Sequence, residues 1–420
     1  MKILLLNQVF HPDPAATALY LTDLAVGLRE QGHEVTVIAS SRGYDDPSQR
    51  YCSREQWNGV TIIRIPSLGL GKTAAWRRAL NFGSYLVACA VRLALLPRFD
   101  VVVALTTPPL ISFLGALRRL ILDRRFVFWV MDLNPDQAIA AGWLERGSLT
   151  ARALNAILMF SLRAADHVVV LDRFMQSIIT RKGIPANKLS VIPPWSHDDV
   201  HFDKEGREEF RREHGLVGKF VVMYAGNHSP CNPLDTLLGA ARRLAGDADI
   251  VFCFVGGGSH FRTLERERMD DGTLAGIKCI PYQPRERVSA LLSAADLHAV
   301  TLGDEFRGLI HPCKIYNILN VGAPVLYIGP RESHVTDLVG CDGVRGWHVP
   351  HGSIDLATAA VQEARTVALE APRSACGGSS LSFSQVALLP QLIAITTAER
   401  PSVAPVEPLQ ALQDPSAPRL

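Results

Sequence analysis

None of the cysteines in this chain forms a C-x-x-C pair. The eight cysteines are scattered singly, and Cys89, Cys253 and Cys279 sit inside apolar runs, as free buried thiols do. This excludes a disulfide framework and a cysteine-rich zinc module, and it points to a reducing cytoplasm. No uncharged apolar run reaches the roughly 20 residues that crossing a bilayer requires. The opening stretch MKILLLNQVF has one basic residue and no A-x-A cleavage site, so it reads as a first buried strand rather than a signal. The net charge is only +2, which offers nucleic acid no footprint. No G-x-G-x-x-G is followed by an acidic residue on a second strand, so a nicotinamide fingerprint is not met.

What is present is a large apolar core divided between two halves. The chain has 420 residues, 48% of them hydrophobic and 20% charged, which suits two domains. Strand-like runs at 2–8, 34–39, 59–66, 100–105, 126–131, 166–171 and 189–192 alternate with helical periodicity. Two prolines and a polar run, Pro193 to Asp199, read as a linker. The alternation then resumes with strands near 220–225, 250–255, 277–280, 296–302, 325–328 and 346–350. This pattern predicts an α/β protein of two doubly wound, Rossmann-like parallel-sheet domains, 1–195 and 196–380. Residues 381–395 read as a closing helix. Residues 396–420, rich in Pro, Ala, Ser and Gln without periodicity, read as a disordered tail.

The most informative stretch is Gly303 to Gly329, GDEFRGLIHPCKIYNILNVGAPVLYIG. A helix is expected from about Pro312, with Ile315, Ile318 and Leu319 on its apolar face, Gly322 ending it and Pro324 opening the next strand. The N–H groups of residues 311–314 beside the Lys314 ammonium would make an anion site, most plainly for phosphate. The plainer alternative is a solvated surface lysine. Glycines close two other strands of the same half: Gly226, followed by Asn227 and His228, and the run of Gly256, Gly257 and Gly258. Such glycines let backbone approach a phosphate or base. In the first half Asp132 ends an apolar strand, where folds of this class place ligands; capping the helix near Asp136 is its structural alternative. The loop Val9 to Thr17 offers His11, Ala15, Ala16 and Thr17 to the same cleft.

Residues 73–96 form an apolar and aromatic helix with Arg77, Arg78 and Arg92, and Arg98 just beyond; Arg118, Arg119, Arg124 and Arg125 add a second basic cluster. A basic amphipathic helix suits an anionic membrane face, and equally a core helix with solvated arginines.

Pro312, Cys313 and Lys314, with the closing Gly322 and Pro324, resemble the donor-binding segment of the glycosyltransferase 4 family, GT-B enzymes of the glycogen-synthase type. The stretch MDLNPDQA, which contains Asp132, closely resembles a subset that makes cell-surface polysaccharides of the colanic acid or O-antigen kind. The resemblance implies a retaining transfer from a nucleotide sugar on the second domain to a lipid-linked or saccharide acceptor on the first. It implies no cofactor and no bound metal, and a cytoplasmic protein resting on the inner membrane face. Asp132 would contact the transferred sugar. Lys314, with Arg307, would neutralise the diphosphate, and Gly308, His311, Cys313 and Asn317 would line the donor side. Tyr282 would lie in the loop that holds the base. The chain also departs from the family. Leu309 and Asn317 stand where two glutamates are common. Ala15 and Ala16 replace paired glycines. Asn227, His228, Ser229 and Asn232 stand where an arginine and a lysine usually grip the diphosphate. Two alternatives share the fold: a sugar-nucleotide epimerase and a catalytically degenerate binding subunit.

Overall fold

The computed structural model describes residues 1–43, 48–70, 75–274, 276–339, 344–370 and 381–398. Its first sheet holds β1 (Lys2–Leu6), β2 (Glu34–Ser40), β3 (Arg54–Trp57), β4 (Val60–Ile65), β5 (Val101–Ala104), β6 (Arg125–Trp129), β7 (His167–Val170) and β8 (Leu189–Val191). Their order is β3-β4-β2-β1-β5-β6-β7-β8, and only the β3–β4 pair is antiparallel. β5, β6 and β7 are buried along their whole length, as parallel strands covered on both faces must be.

The second sheet contains β9 (Phe220–Asn227), β10 (Ile250–Gly257), β11 (Lys278–Pro281), β12 (Leu297–Thr301), β13 (Val325–Ile328) and β14 (Gly346–Val349), in the order β11-β10-β9-β12-β13-β14 and parallel throughout. The direction of winding reverses between β1 and β5 in one sheet and between β9 and β12 in the other. Ligands bind at the carboxyl ends of strands at such reversals.

β3 escaped the sequence reading. REQW has no apolar run, and its residues alternate between exposed and half-buried on an edge hairpin. Asn58 and Gly59, with φ of 45° and 76°, make the two-residue turn of the kind that tight hairpins favour.

The helix Gln385–Thr397 returns to the first half. Leu388, Leu392 and Ile393 join that half's core, and a Cβ on Gly27 of the helix Ala16–Glu30 would stand 2.8 Å from Ile393 Cδ1. The helix runs past residue 395, where the sequence pattern stopped; the expected tail beyond residue 398 lies outside the described residues.

The helix Ala75–Ala94 buries Tyr85, Cys89 and Leu93, yet Trp76, Leu80, Val87 and Val91 stand exposed opposite them. The second basic cluster dissolves on inspection. Arg118 is buried against Asp123, Arg119 pairs with Asp166, and Arg125 is buried and donates to the Thr396 and Ala398 carbonyls. Arg124 alone of that group is mostly exposed, its side chain 85% accessible with Asp100 at 4.0 Å. Among the described residues no helix is long and apolar enough to cross a membrane.

Candidate active site

The carboxyl end of β9 is a backbone turn that requires glycine. Gly226 has φ 136° and Gly256, its partner on β10, has φ 132°. A Cβ on Gly256 would fall 2.1 Å from the Gly226 oxygen, and one on Gly257 would fall 2.8 Å from the Tyr282 ring. The two glycine loops therefore close on each other, with Tyr282 exposed at their rim.

His228 locks this turn from beneath. It is fully buried, its Nδ1–H donates to the Gly226 oxygen at 3.0 Å, and its amide donates to Gly257 at 2.7 Å. Tyr224 and Phe261 pack edge-on to its ring. Burial and the nearby Lys314 charge push its pKa down to about 4. With Nδ1–H committed to the Gly226 oxygen, the ring supports this loop, while its buried Nε2 has no hydrogen-bond partner. Asn227 stays exposed, and its carbonyl accepts from Tyr224 Oη.

Lys314 brings a positive charge to this turn from another βα unit. It opens the helix Lys314–Asn320, and its Nζ lies 3.7 Å from the centre of the Tyr224 ring. A Cβ on Gly226 would be only 3.0 Å from that Nζ. The ammonium is shielded from solvent and makes no hydrogen bond. Burial pushes its pKa down to about 7. The ring face offsets part of the charge, but three donors are left without an acceptor. The basic group that the loop 226–232 lacks thus arrives by a route invisible in that loop's own residues. The helix has seven residues, and the amides of Ile315 and Tyr316 donate to the Pro312 and Cys313 carbonyls.

Other expected donor residues have structural partners. His311 is buried, with Nδ1 2.8 Å from Asp172 Oδ2 and Nε2 2.8 Å from Tyr316 Oη. Asn317 Oδ1 accepts from the His197 amide at 3.1 Å, which anchors the segment joining the two halves. The Cys313 thiol donates to the His311 oxygen, and burial raises its pKa to about 12; it is no nucleophile. Gly308 has φ 71°, and a Cβ there would lie 2.8 Å from the Phe174 carbonyl carbon, so glycine is needed where the halves meet. Arg307 turns elsewhere. It pairs with Glu332 and lines a shallow groove of about 400 Å³ with Arg173, Phe174, Ser177 and Arg181.

Asp132 follows β6, and its amide donates to Thr106 Oγ1. The next helix, Asp136–Ala140, begins after Pro135 without a side-chain cap, so the capping alternative for Asp132 is excluded. Burial raises its carboxyl to about 6. It lies close enough to Cys231 and Cys313 of the second half to raise both thiols. Asp132 therefore faces the Lys314 segment across the cleft without pairing with it.

On the acceptor side the helix starts at Ala16, not Ala18. Ala15 is its N-cap, and Ala16 and Thr17 belong to its first turn. His11 stacks on Trp57 with ring centres 4.0 Å apart, and its carbonyl accepts from Arg64 at 2.6 Å. Burial and Arg64 lower its pKa. Three residues at this site had no role in the sequence reading: Tyr224, Asp172 and His334. Tyr224 ends an apolar strand and reads as core. Asp172 meets His311 only when the halves come together.

Residues 16–195 match the glycosyl transferase 4-like domain, and residues 206–366 match the glycosyl transferases group 1. The putative colanic acid biosynthesis glycosyl transferase WcaI of Escherichia coli K12 is 26% identical over 338 residues, spanning 77% of this chain and 82% of that protein. Sucrose-phosphate synthase from Thermosynechococcus elongatus superposes with a TM-score of 0.69 at 16% identity, covering 94% of this chain and 98% of that one. HepE from Anabaena, solved with UDP-glucose, superposes with a TM-score of 0.62 at 16% identity over 94% of this chain and 95% of that one. With both domain types in this order on paired parallel sheets, the chain is a GT-B glycosyltransferase of the glycosyltransferase 4 kind.

Proposed function

We propose that the chain moves a sugar from a nucleotide-sugar donor to a lipid-linked saccharide in surface polysaccharide synthesis, with retention of anomeric configuration. One observation carries this reading: the Lys314 ammonium is held without an acceptor against the Gly226 turn, at the winding reversal of the second sheet. A buried ammonium with unmet donors is costly, and a diphosphate there would satisfy it. As the donor bond breaks, negative charge grows on the departing diphosphate, and a preplaced cation lowers that barrier. Asp132, partly buried in the facing half, would orient sugar hydroxyls or offset charge at the anomeric carbon. The acceptor hydroxyl would attack the face the diphosphate leaves, with a phosphate oxygen taking its proton. Positioning carries most of such a reaction, and none of its steps requires a metal. The relative named for colanic acid synthesis and the HepE complex with UDP-glucose support the substrate classes.

On this reading the acceptor domain is 1–195 and the donor domain 196–380. The acceptor domain would rest on the inner face of the membrane through Trp76, Leu80, Val87 and Val91. Leu95, Leu120 and Ile121 extend that patch, since Arg118 and Arg98 tie the ends of the two helices together. Arg77 and Arg124 would meet anionic headgroups.

The test is release of nucleoside diphosphate from a panel of nucleotide sugars, with and without a lipid-linked acceptor. Release that depends on the acceptor is the expected result. Nucleotide binding without release would make the chain a binding subunit, and acceptor-independent inversion at a sugar carbon would make it an epimerase.

A further inference from the structure

We infer that Asp172, acting through His311, is a positioning residue for Lys314, so that the acceptor half holds the donor half's cation in place. The inference rests on the phosphate role of Lys314 proposed above.

Asp172 follows β7 and is 5% exposed. Its Oδ1 accepts from the Met175 amide at 2.7 Å and caps the helix Arg173–Arg181. That fixes the carboxylate within its own half. Its Oδ2 reaches across the domain seam to His311 Nδ1 at 2.8 Å. A buried carboxylate is tolerated only with such partners. His311, with His334 beside it, holds the Asp172 carboxyl down at about 2.

His311 is fixed at both nitrogens, since Nε2 meets Tyr316 Oη at 2.8 Å. Residues 311 and 316 bracket Lys314, so this one ring clamps the start of the lysine's helix. Pro312 restricts the backbone between them, and the Cys313 thiol closes the turn onto the His311 oxygen. Further contacts dock the same loop on the first half: the Leu133 amide donates to the Leu309 oxygen at 2.8 Å, and Gly308 abuts Phe174. Lys314 Nζ has no hydrogen bond of its own to set its place. Its position is therefore inherited from this backbone.

Asp172, His311 and His334 bring ligand-type atoms within 4.8 Å of one another. The 2.8 Å between His311 Nδ1 and Asp172 Oδ2 is a direct hydrogen bond, and the two imidazoles stack at 3.6 Å.

The test is a double-mutant cycle on the full chain, read as affinity for the tightest-bound of UDP, GDP, ADP and dTDP. Lys314→Ala should weaken binding about 100-fold, and Asp172→Asn about tenfold. The double variant should match Lys314→Ala alone within about twofold. Losses that multiply in the double variant, or no loss in Asp172→Asn, overturn the positioning role while leaving the donor reading intact. No loss in Lys314→Ala, or no binding by the unmodified protein, overturns both. His311→Asn keeps an amide donor near Nδ1 and should bind within about threefold of the unmodified protein, whereas His311→Ala loses about tenfold. Equal losses in those two variants would also overturn the inference, even if Asp172→Asn fails to fold.

Discussion

Lys314 and Tyr224 belong to different βα units, yet the ammonium stands 3.7 Å from the ring centre and shares the space beside Gly226 with nothing that could accept its protons. Tyr224 is itself buried, with its hydroxyl donating to the Asn227 oxygen at the rim of the same turn. The ring stabilises a cation without neutralising it. That buried amine without an acceptor is the feature on which the proposed diphosphate site rests.

That arrangement predicts a proton signature. Burial holds Lys314 near 7 in the free protein, and a bound diphosphate would favour the charged form and raise that value. Between pH 7 and about 10, binding should then take up a proton, and affinity should fall as pH rises. Calorimetry at pH 8 in buffers of different ionisation enthalpy should report net uptake that vanishes in Lys314→Ala. Zero uptake in the unmodified protein would remove the ammonium from the site. By the same shift, the ligand-free fold should gain stability as pH rises from about 7 toward the value of an unfolded-chain lysine.

Asp132 predicts the acid limb of the rate profile. Its carboxyl is raised to about 6 by burial, and only the charged form can offset positive charge on the sugar. The rate constant kcat/KM, which reports the free enzyme, should decline as pH drops through about 6. Asp132→Asn should abolish that limb and lower kcat by about 100-fold with donor affinity little changed. A variant that keeps full turnover would reduce Asp132 to a structural group.

Stability should respond unequally to two neighbouring arginines. Arg118 and Asp123 are both buried, and Arg118 also donates to the Pro97 oxygen at 2.7 Å. Arg118→Met strands the carboxylate and should cost about 3–5 kcal/mol. Arg119 pairs with Asp166, but both side chains are about one-third exposed, so Arg119→Gln should cost less than about 1 kcal/mol. Urea unfolding of the two variants checks the contrast, and equal losses would contradict it.

Membrane contact should follow the exposed apolar patch more than the arginines. Val87 is 67% exposed and Val91 60%. Changing both to glutamate should weaken binding to vesicles containing anionic lipid at least tenfold, with nucleotide affinity unaffected. Sedimentation with vesicles measures it, and unchanged partition would leave the patch without its assigned partner.

The strands were legible because parallel sheets need continuous apolar runs, such as Val101 to Ala104 and Phe126 to Trp129. β3 was not, because an edge hairpin of Arg, Glu and Gln carries no such signal. In the site, Lys314 could be singled out from its place before a helix. Where its ammonium goes could not, because Gly226 and Tyr224 lie nearly ninety residues earlier and meet it only through the sheet order. For His228, His311 and Asn317 the sequence could not show the partners the fold supplies: Gly257 for the His228 amide, Asp172 for the His311 ring and the His197 amide for Asn317. The basic residues 118, 119 and 125 are a like case, since charge in a sequence says nothing of the carboxylates and carbonyls that meet it.

The most direct measurement is turnover of the nucleotide-sugar donor by Lys314→Ala under saturating acceptor. A fall of at least about 100-fold in kcat/KM, with the fold intact by circular dichroism, is the expected result for a cation that grips the departing diphosphate. Kinetics indistinguishable from the unmodified enzyme would contradict it.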